Sequence, residues 1–362
     1  MARRDLPAVH GVLSAADVLR TGRSIARAQE SSGAIPWFAG GHVDPWDHVE
    51  SAMALSATGL LREAEAAYDW SRRTQRADGS WPTKITTGRV DDAASDSNFC
   101  AYLAVGVWHH YAITGDSAFV ARMWPVVRRA IGFVLDLQAP RGEIGWARAA
   151  DSAAVPEALL TGCSSIHHSL RCALALGEHM GEPQPDWEVA LGRLAHVVDA
   201  HPEAFQPKTR YSMDWYYPVL GGVLRGAAGR ARIAHRWQEF VVDGLGARCV
   251  DDNPWVTGAE TCELVIALDA LGKDRAAREL FEAMQHLRER DGSYWTGLVY
   301  TDGKRWPVER TTWTGAAVVL AADALSRSTP GSGIFRAEGL PVGLAVDDSE
   351  CGCRGTLSGL GR

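Results

Sequence analysis

The chain has 362 residues, enough for two domains or for one large closed architecture. It is 46% hydrophobic and 22% charged, a globular balance that argues against disorder over most of its length. A net charge of −7 without any Lys/Arg-rich stripe argues against nucleic acid as a partner, and no run of 18 apolar residues is present to span a membrane.

The opening residues, with Arg3 and Arg4 but no apolar stretch after them, read as the start of an amphipathic helix over 8–29 and not as a secretory signal. From there the chain repeats one plan. A polar loop rich in Trp, Gly and Asp leads into a strongly apolar helix, then a tight turn, then a helix with one charged face. The apolar segments lie near 46–60, 97–114, 162–181, 214–226, 257–272 and 311–327, with amphipathic partners near 62–76, 117–138, 186–200, 230–242 and 274–290. The joints, such as Thr114-Gly115-Asp116 and Gly272-Lys273-Asp274, carry breaker and cap chemistry. Almost no strand is expected.

Helices apolar all round belong inside and those with a charged face outside. The expected fold is therefore all-α, an (α/α)6 barrel (alpha-alpha toroid) of about twelve helices in six hairpins, with 8–29 completing the sixth pair. Residues 1–328 form this single domain, and 329–362 read as a Gly-rich tail, free to be mobile or to fold over a rim. If the inner helices all run the same way, the loops 33–45, 77–96, 139–161, 201–213, 246–256 and 291–310 gather on one rim, where binding groups concentrate.

Those loops hold most of the tryptophans and many acids. Trp is costly to expose and acids are rarely buried unpaired, so their convergence suggests a cup with apolar walls and ionisable groups. Flat indoles suit the CH faces of sugars or a developing carbocation. Carboxylates serve as acid, base or cation stabiliser. Asp96, Asp116, Asp186 and Asp274 stand where N-caps belong, and Asp78 and Asp291 precede Gly in turns. The more informative acids begin inner helices beside aromatics: Asp47 and Glu50 in DPWDHVE, Glu260 and Glu263 in TGAETCE, Asp214 in YSMDWYYP and Glu309 in RWPVERTTWT. Members three apart can face the cup from one turn, or simply complement the helix dipole.

His109-His110 and His167-His168 are adjacent, so their side chains diverge on a helix and no metal site is expected. Cys100, Cys163, Cys172 and Cys262 read as buried thiols in a reducing cytoplasm, and Cys351 and Cys353 form a CxC without a second ligand pair. With no phosphate loop or dinucleotide fingerprint, no cofactor is expected.

Two resemblances follow from particular stretches. The segments 111–138 and 263–284, the latter followed by WPVERTTWTGAAVVLAADAL, resemble hairpins of the six-hairpin, glucoamylase-like glycosidases. That resemblance implies two rim acids cleaving a glycosidic bond: Glu309 as base or nucleophile, Asp214 or Glu260 as acid. Trp46, Asp47, Glu50, Trp81, Asp92, Trp215, Tyr216, Trp255, Glu263 and Trp306 would then bind an oligosaccharide.

Gln75…Gly79-Ser-Trp81, with looser echoes at Gln29…Gly33…Trp37 and Gln138…Gly142…Trp146, is similar to the Q…GxW repeats of prenyltransferase and squalene-cyclase toroids. In Arg290-Asp-Gly292-Ser-Tyr-Trp295 the Gln is replaced. That family's DxDD acid and zinc ligands are absent, so the repeat supports fold more than activity. A glycoside-processing enzyme is the favoured reading. An isoprenoid enzyme and a non-catalytic sugar-binding toroid are the alternatives.

Overall fold

A helix apolar on every side needs protein on every side, and six such segments form an inner ring. The computed structural model describes residues 5–151 and 153–344; Cys351 and Cys353 lie outside the described residues. In chain order the helices are α1 (Ala15–Ala28), α2 (Pro45–Ala57), α3 (Leu61–Thr74), α4 (Ser97–Ala101), α5 (Leu103–Thr114), α6 (Ser117–Leu135) and α7 (Leu160–His179). They continue as α8 (Pro185–Ala200), α9 (Ser212–Leu220), α10 (Gly226–His235), the short α11 (Trp237–Phe240), α12 (Gly258–Ala270), α13 (Asp274–Ala283) and α14 (Thr312–Ser326).

Around the ring α2 packs on α5, α5 on α7, α7 on α9, α9 on α12, α12 on α14, and α14 returns to α2. Outside, α3 covers α2, α6 covers α5, α8 covers α7, α10 covers α9 and α13 covers α12. Helix α1 rests on α14, so the first and last helices complete the sixth pair. Every residue of α2 is buried, whereas α1 buries only Val18, Thr21, Gly22 and Ile25. The (α/α)6 ring expected from the apolar periodicity is the fold.

Two local expectations need correction. Asp96 and Asp116 cap their helices, accepting from Phe99 N at 3.0 Å and Ala118 N at 2.9 Å. Asp186 and Asp274, in contrast, lie inside the first turns of α8 and α13, behind Gln184 and Lys273. Strands are also more numerous than expected, because the rim loops tie themselves into three small antiparallel sheets. These comprise β1 (His42–Val43), β2 (Lys84–Thr86) and β3 (Arg89–Asp92); β4 (Ser95–Asp96), β5 (Gly145–Arg148) and β6 (Ala154–Ala158); and β7 (Val241–Val242), β8 (Gly246–Arg248), β9 (Trp255–Thr257), β10 (Gly297–Val299) and β11 (Lys304–Arg305). Segments of two to five residues carry too little alternation to be read in advance.

The Q…GxW repeats act as staples of the outer ring. Each Gln amide donates to the carbonyl of its own Gly and to a carbonyl of the next outer helix: Gln29 to Gly33 and Glu63, Gln75 to Gly79 and Val126, Gln138 to Gly142 and Ala190. Four residues before Gly292 stands Arg288, which instead pairs with Asp17 on α1. The motif thus orders helices and carries no chemistry of its own. Trp81, expected to line a cup, belongs to this scaffold: it is buried, with Nε1 donating to Ser71 O at 2.9 Å.

At the opposite end of the ring, residues 329–344 cross the inner helices as a strap. Thr329 N donates to Asp323 at 2.9 Å, Arg336 pairs with Asp269 at 2.6 Å, and Arg225 donates to Phe335 O at 2.6 Å. Arg171 holds Pro341 O at 2.8 Å and Leu340 O at 3.2 Å.

Candidate active site

The rim loops and the heads of the inner helices enclose a cup of about 520 Å³. Trp37, His42, Asp44, Trp46, Asp47, Asp92, Asp96, Trp146, Thr161, Met213, Tyr217 and Trp313 are among its lining, so connectors from different hairpins do meet at one mouth. The walls are aromatic. Trp37 stacks on His42 at 5.7 Å, Trp46 stacks on Tyr102 at 4.5 Å, and Trp313 stands edge-on to Trp46 at 6.1 Å.

Asp44 caps α2, its Oδ1 accepting from Asp47 N at 2.9 Å. Their two side chains also share a hydrogen bond. Burial first, then the neighbouring Asp44, Glu50 and Glu263, pushes the Asp47 carboxyl well above its ordinary range. Burial raises Asp44 too, so the two carboxyls titrate as a pair, with Asp47 the more strongly raised. Asp96, also in the cup wall, is raised to about 7 by burial.

Beneath the floor, a small chamber of about 20 Å³ lies between Trp46, Glu50, Tyr102, Tyr217 and Glu263. Tyr217 lines both spaces. Glu263 accepts from Tyr217 OH at 2.7 Å and from Tyr216 OH; burial raises its carboxyl to about 8, against the opposing pull of those two hydroxyls. Glu50, near Tyr102 OH at 3.4 Å, is raised well above its usual range by burial and by Glu263.

This cluster has a measurable signature. Its carboxyls ionise at higher pH folded than unfolded, so the native state holds the extra protons between roughly pH 4 and the raised values. Stability is fully present below that window and is lost as pH rises through it. Glu50→Gln should therefore raise the thermal midpoint by several degrees at pH 8 and leave it nearly unchanged at pH 5. An equal shift at both pH values in scanning calorimetry would reject the repulsive cluster.

The expected site residues are only partly brought together. Asp47, Trp46 and Asp92 line the cup, and Glu50, Tyr216 and Glu263 cluster at or below its floor. Asp214 is buried behind Thr161, whose hydroxyl donates to it at 3.5 Å, and burial raises its carboxyl. Glu260 heads α12 but lines neither space; the Cys249 thiol donates to it. Glu309 lies behind the wall: Trp37 Nε1 donates to its Oε1 at 2.8 Å, and its surroundings are a separate cavity with Trp295 and Arg310. Trp215 is in the core, stacked on Phe240 at 5.3 Å. Trp255, on β9 of the five-stranded sheet, donates to Trp306 O at 2.7 Å just past β11, and neither lines the cup. Asp44, Asp96 and Tyr217, rim-loop residues left out of the expected site, and Tyr102, not singled out at all, also line these spaces. Asp44 and Asp96 also serve as caps, and that role masks their presence in the wall.

No protein-family model matches the chain. A curated relative from Mycolicibacterium hassiacum, "MMP endo-(1,4)-3-O-methyl-alpha-D-mannosidase", is 66% identical over 356 residues, covering 98% of this chain and 99% of its own length. Among solved structures, a glycosidase variant in complex with glucose aligns with TM-score 0.69 at 15% identity, over 86% of this chain and 97% of that one. A bacterial glucoamylase complexed with acarbose gives 0.67 at 11% identity, over 88% and 57%. A D-mannose isomerase gives 0.65 at 10% identity, over 85% and 95%. The last likenesses show the toroid alone, but the first reaches across essentially both chains. The chain belongs to the family of that mannosidase and is a glycoside hydrolase-like enzyme.

Proposed function

We propose that this enzyme cleaves internal (1,4) bonds between 3-O-methyl-α-D-mannose units, with Asp47 as general acid and Glu263 as the base that activates water. The substrate class comes from the name of the relative at 66% identity. The observation that carries the assignment is the hydrogen-bonded Asp44–Asp47 pair in the cup wall, with Glu263 below it in a chamber the size of one water.

Asp47 gives its proton to the glycosidic oxygen as that bond breaks, and Asp44 accepts the hydrogen bond that keeps Asp47 oriented until then. Water in the chamber attacks the anomeric carbon from the other side and loses a proton to the ionised form of Glu263, which predominates only above about pH 8, and whose two tyrosine donors hold its oxygens in place. Proton return from Glu263 to Asp47 through solvent closes the cycle. A water between the carboxyls implies inversion, so the first sugar released from an α-linkage should be the β-anomer. Methylated sugars suit a cup walled by Trp37, Trp46, Trp146 and Trp313. Its acids, Asp44, Asp47, Asp92 and Asp96, count against a dry prenyl funnel.

Incubation with α-(1,4)-linked 3-O-methylmannose oligosaccharides, beside unmethylated mannose and glucose counterparts, should give shorter internal fragments from the methylated series only. Faster cleavage of an unmethylated series would reject the substrate, and α-anomer released first in NMR spectra would reject the water chamber. A reducing cytoplasm is supported by free thiols at Cys100, Cys163, Cys172, Cys249 and Cys262. No helix among the described residues is long and apolar enough to cross a membrane.

A further inference from the structure

The chamber beneath the cup is closed from below by a residue of the strap. Phe335 is its one lining residue from outside the helical repeat and the residue that follows it, and the ring lies against His168 of α7 at 4.9 Å, nearly parallel. Beyond Phe335, the next two residues, Arg336 and Ala337, line a different and much larger cavity of about 680 Å³ on the opposite end of the ring, together with Gly222, Arg171 and Arg225. Phe335 thus lines the chamber at the point where the strap runs on into that open space. Packing alone does not explain how firmly it is held there. Arg225 donates to the Phe335 carbonyl and to Val219 O, both at 2.6 Å, and Arg336 is clamped to Asp269, which is buried at the end of α12. Gly331 packs so closely on His109 of α5 that an added Cβ would lie 2.7 Å from the imidazole. The strap is therefore pinned on α5, α12, α14 and the α9–α10 turn around this one ring.

We propose that Phe335 is a positioning residue for hydrolysis: its ring seals the underside of the water chamber, so that the attacking water and Glu263 are shielded from solvent at the far end of the toroid. The inference rests on the reading of Glu263 as base. The groups around that carboxyl are Asp47 and Glu50 from α2, Tyr102 between α4 and α5, His168 from α7, Tyr216 and Tyr217 from α9, Cys249 ahead of β9, and Glu260 and Cys262 from its own helix. No residue of α14 lines the chamber. His168 is held neutral, its imidazole pushed well below its usual range by burial and by Arg171 and Arg225. Burial is the largest influence on Glu263. Removing the seal acts on that influence and leaves the hydrogen bonds from Tyr216 and Tyr217 untouched.

Phe335→Ala should join the chamber to the larger cavity and let solvent reach Glu263 from below. The expected result is a fall in kcat of about 10- to 100-fold, as the water loses its fixed place, with KM within about twofold because the cup lies on the other side of the floor. The acid limb of the kcat–pH profile should move down by about one unit as Glu263 loses its buried surroundings. Phe335→Leu refills much of the space and should restore both quantities most of the way. Phe335→Val, a milder truncation, serves if the alanine variant does not fold, with the same direction expected. A lowered thermal midpoint with kcat and pH profile unchanged in the truncated variants would overturn the inference and leave Phe335 a packing residue. Glu263→Gln is the separate arm: if that variant keeps wild-type turnover, the assignment of the base is wrong; if it is inactive while Phe335→Ala behaves as wild type, only the seal is wrong.

Discussion

Asp47→Asn is expected to lower kcat by at least about a thousandfold and to leave the thermal midpoint unchanged or higher. General acid catalysis contributes about 10²- to 10⁴-fold, and among the cup acids Asp47 is pushed well above its ordinary range, because burial and its acidic neighbours oppose ionisation. Asparagine keeps the shape and can still donate to Asp44, but it has no transferable proton. Removing one acid from a crowded buried cluster relieves repulsion, so folding is not the casualty. Asp44→Asn should behave differently. It leaves Asp47 a proton but withdraws the carboxylate that accepts it, so turnover should fall less and the alkaline limb should move. Turnover of Asp47→Asn within about tenfold of the parent, measured on the methylated substrate, would transfer the acid role elsewhere, with Asp96 in the same wall the next group to test.

The second large effect concerns the scaffold. Gly79 has φ of +94°, and a Cβ placed on it would lie 2.1 Å from Arg129 O in α6. Gly79→Ala must both adopt a left-handed conformation, costing about 1–2 kcal/mol, and displace a backbone carbonyl, an overpacking cost of about 1–3 kcal/mol. Gly115 supplies the control. It also has positive φ, +68°, at the end of α5, but nothing lies within 4 Å of its missing Cβ. Gly115→Ala should therefore show the conformational cost alone, and the difference between the two midpoints should isolate the close approach. Equal losses would mean that the staple does not depend on contact between Gly79 and α6.

These staples show where sequence reading succeeds and where it stops. The ring was legible because AMALSATGLL and CELVIALDAL have no polar face, and such helices have one kind of place to go. The Gln and Gly of the outer turns were legible as a repeat. Their purpose was not, since it is a bond to a helix more than 50 residues away, as between Gln75 and Val126. The carboxylates divided similarly. Asp47, Glu50 and Glu263, singled out because acids at the heads of apolar helices are conspicuous, do lie in the cup wall or in the chamber below it. Glu309, equally conspicuous beside two tryptophans, turned out to be screened from the cup by Trp37. Spacing along a strand or helix says which neighbours share a face, but a rim loop has no period, so nothing in the sequence distinguishes the two sides of RWPVERTTW. For the same reason Trp81 and Trp215 read as cup walls when their indole nitrogens are committed to Ser71 and Arg232 carbonyls in the core.

The pairing of α1 with α14 has a consequence for biosynthesis. The partners are separated by residues 29–311, so a ribosome must deliver nearly the whole chain before the first helix finds its seat. At about 5–20 residues per second that delay is roughly 15–60 s. Throughout it, Val18 and Ile25 lack the α14 face that covers this stripe in the finished ring.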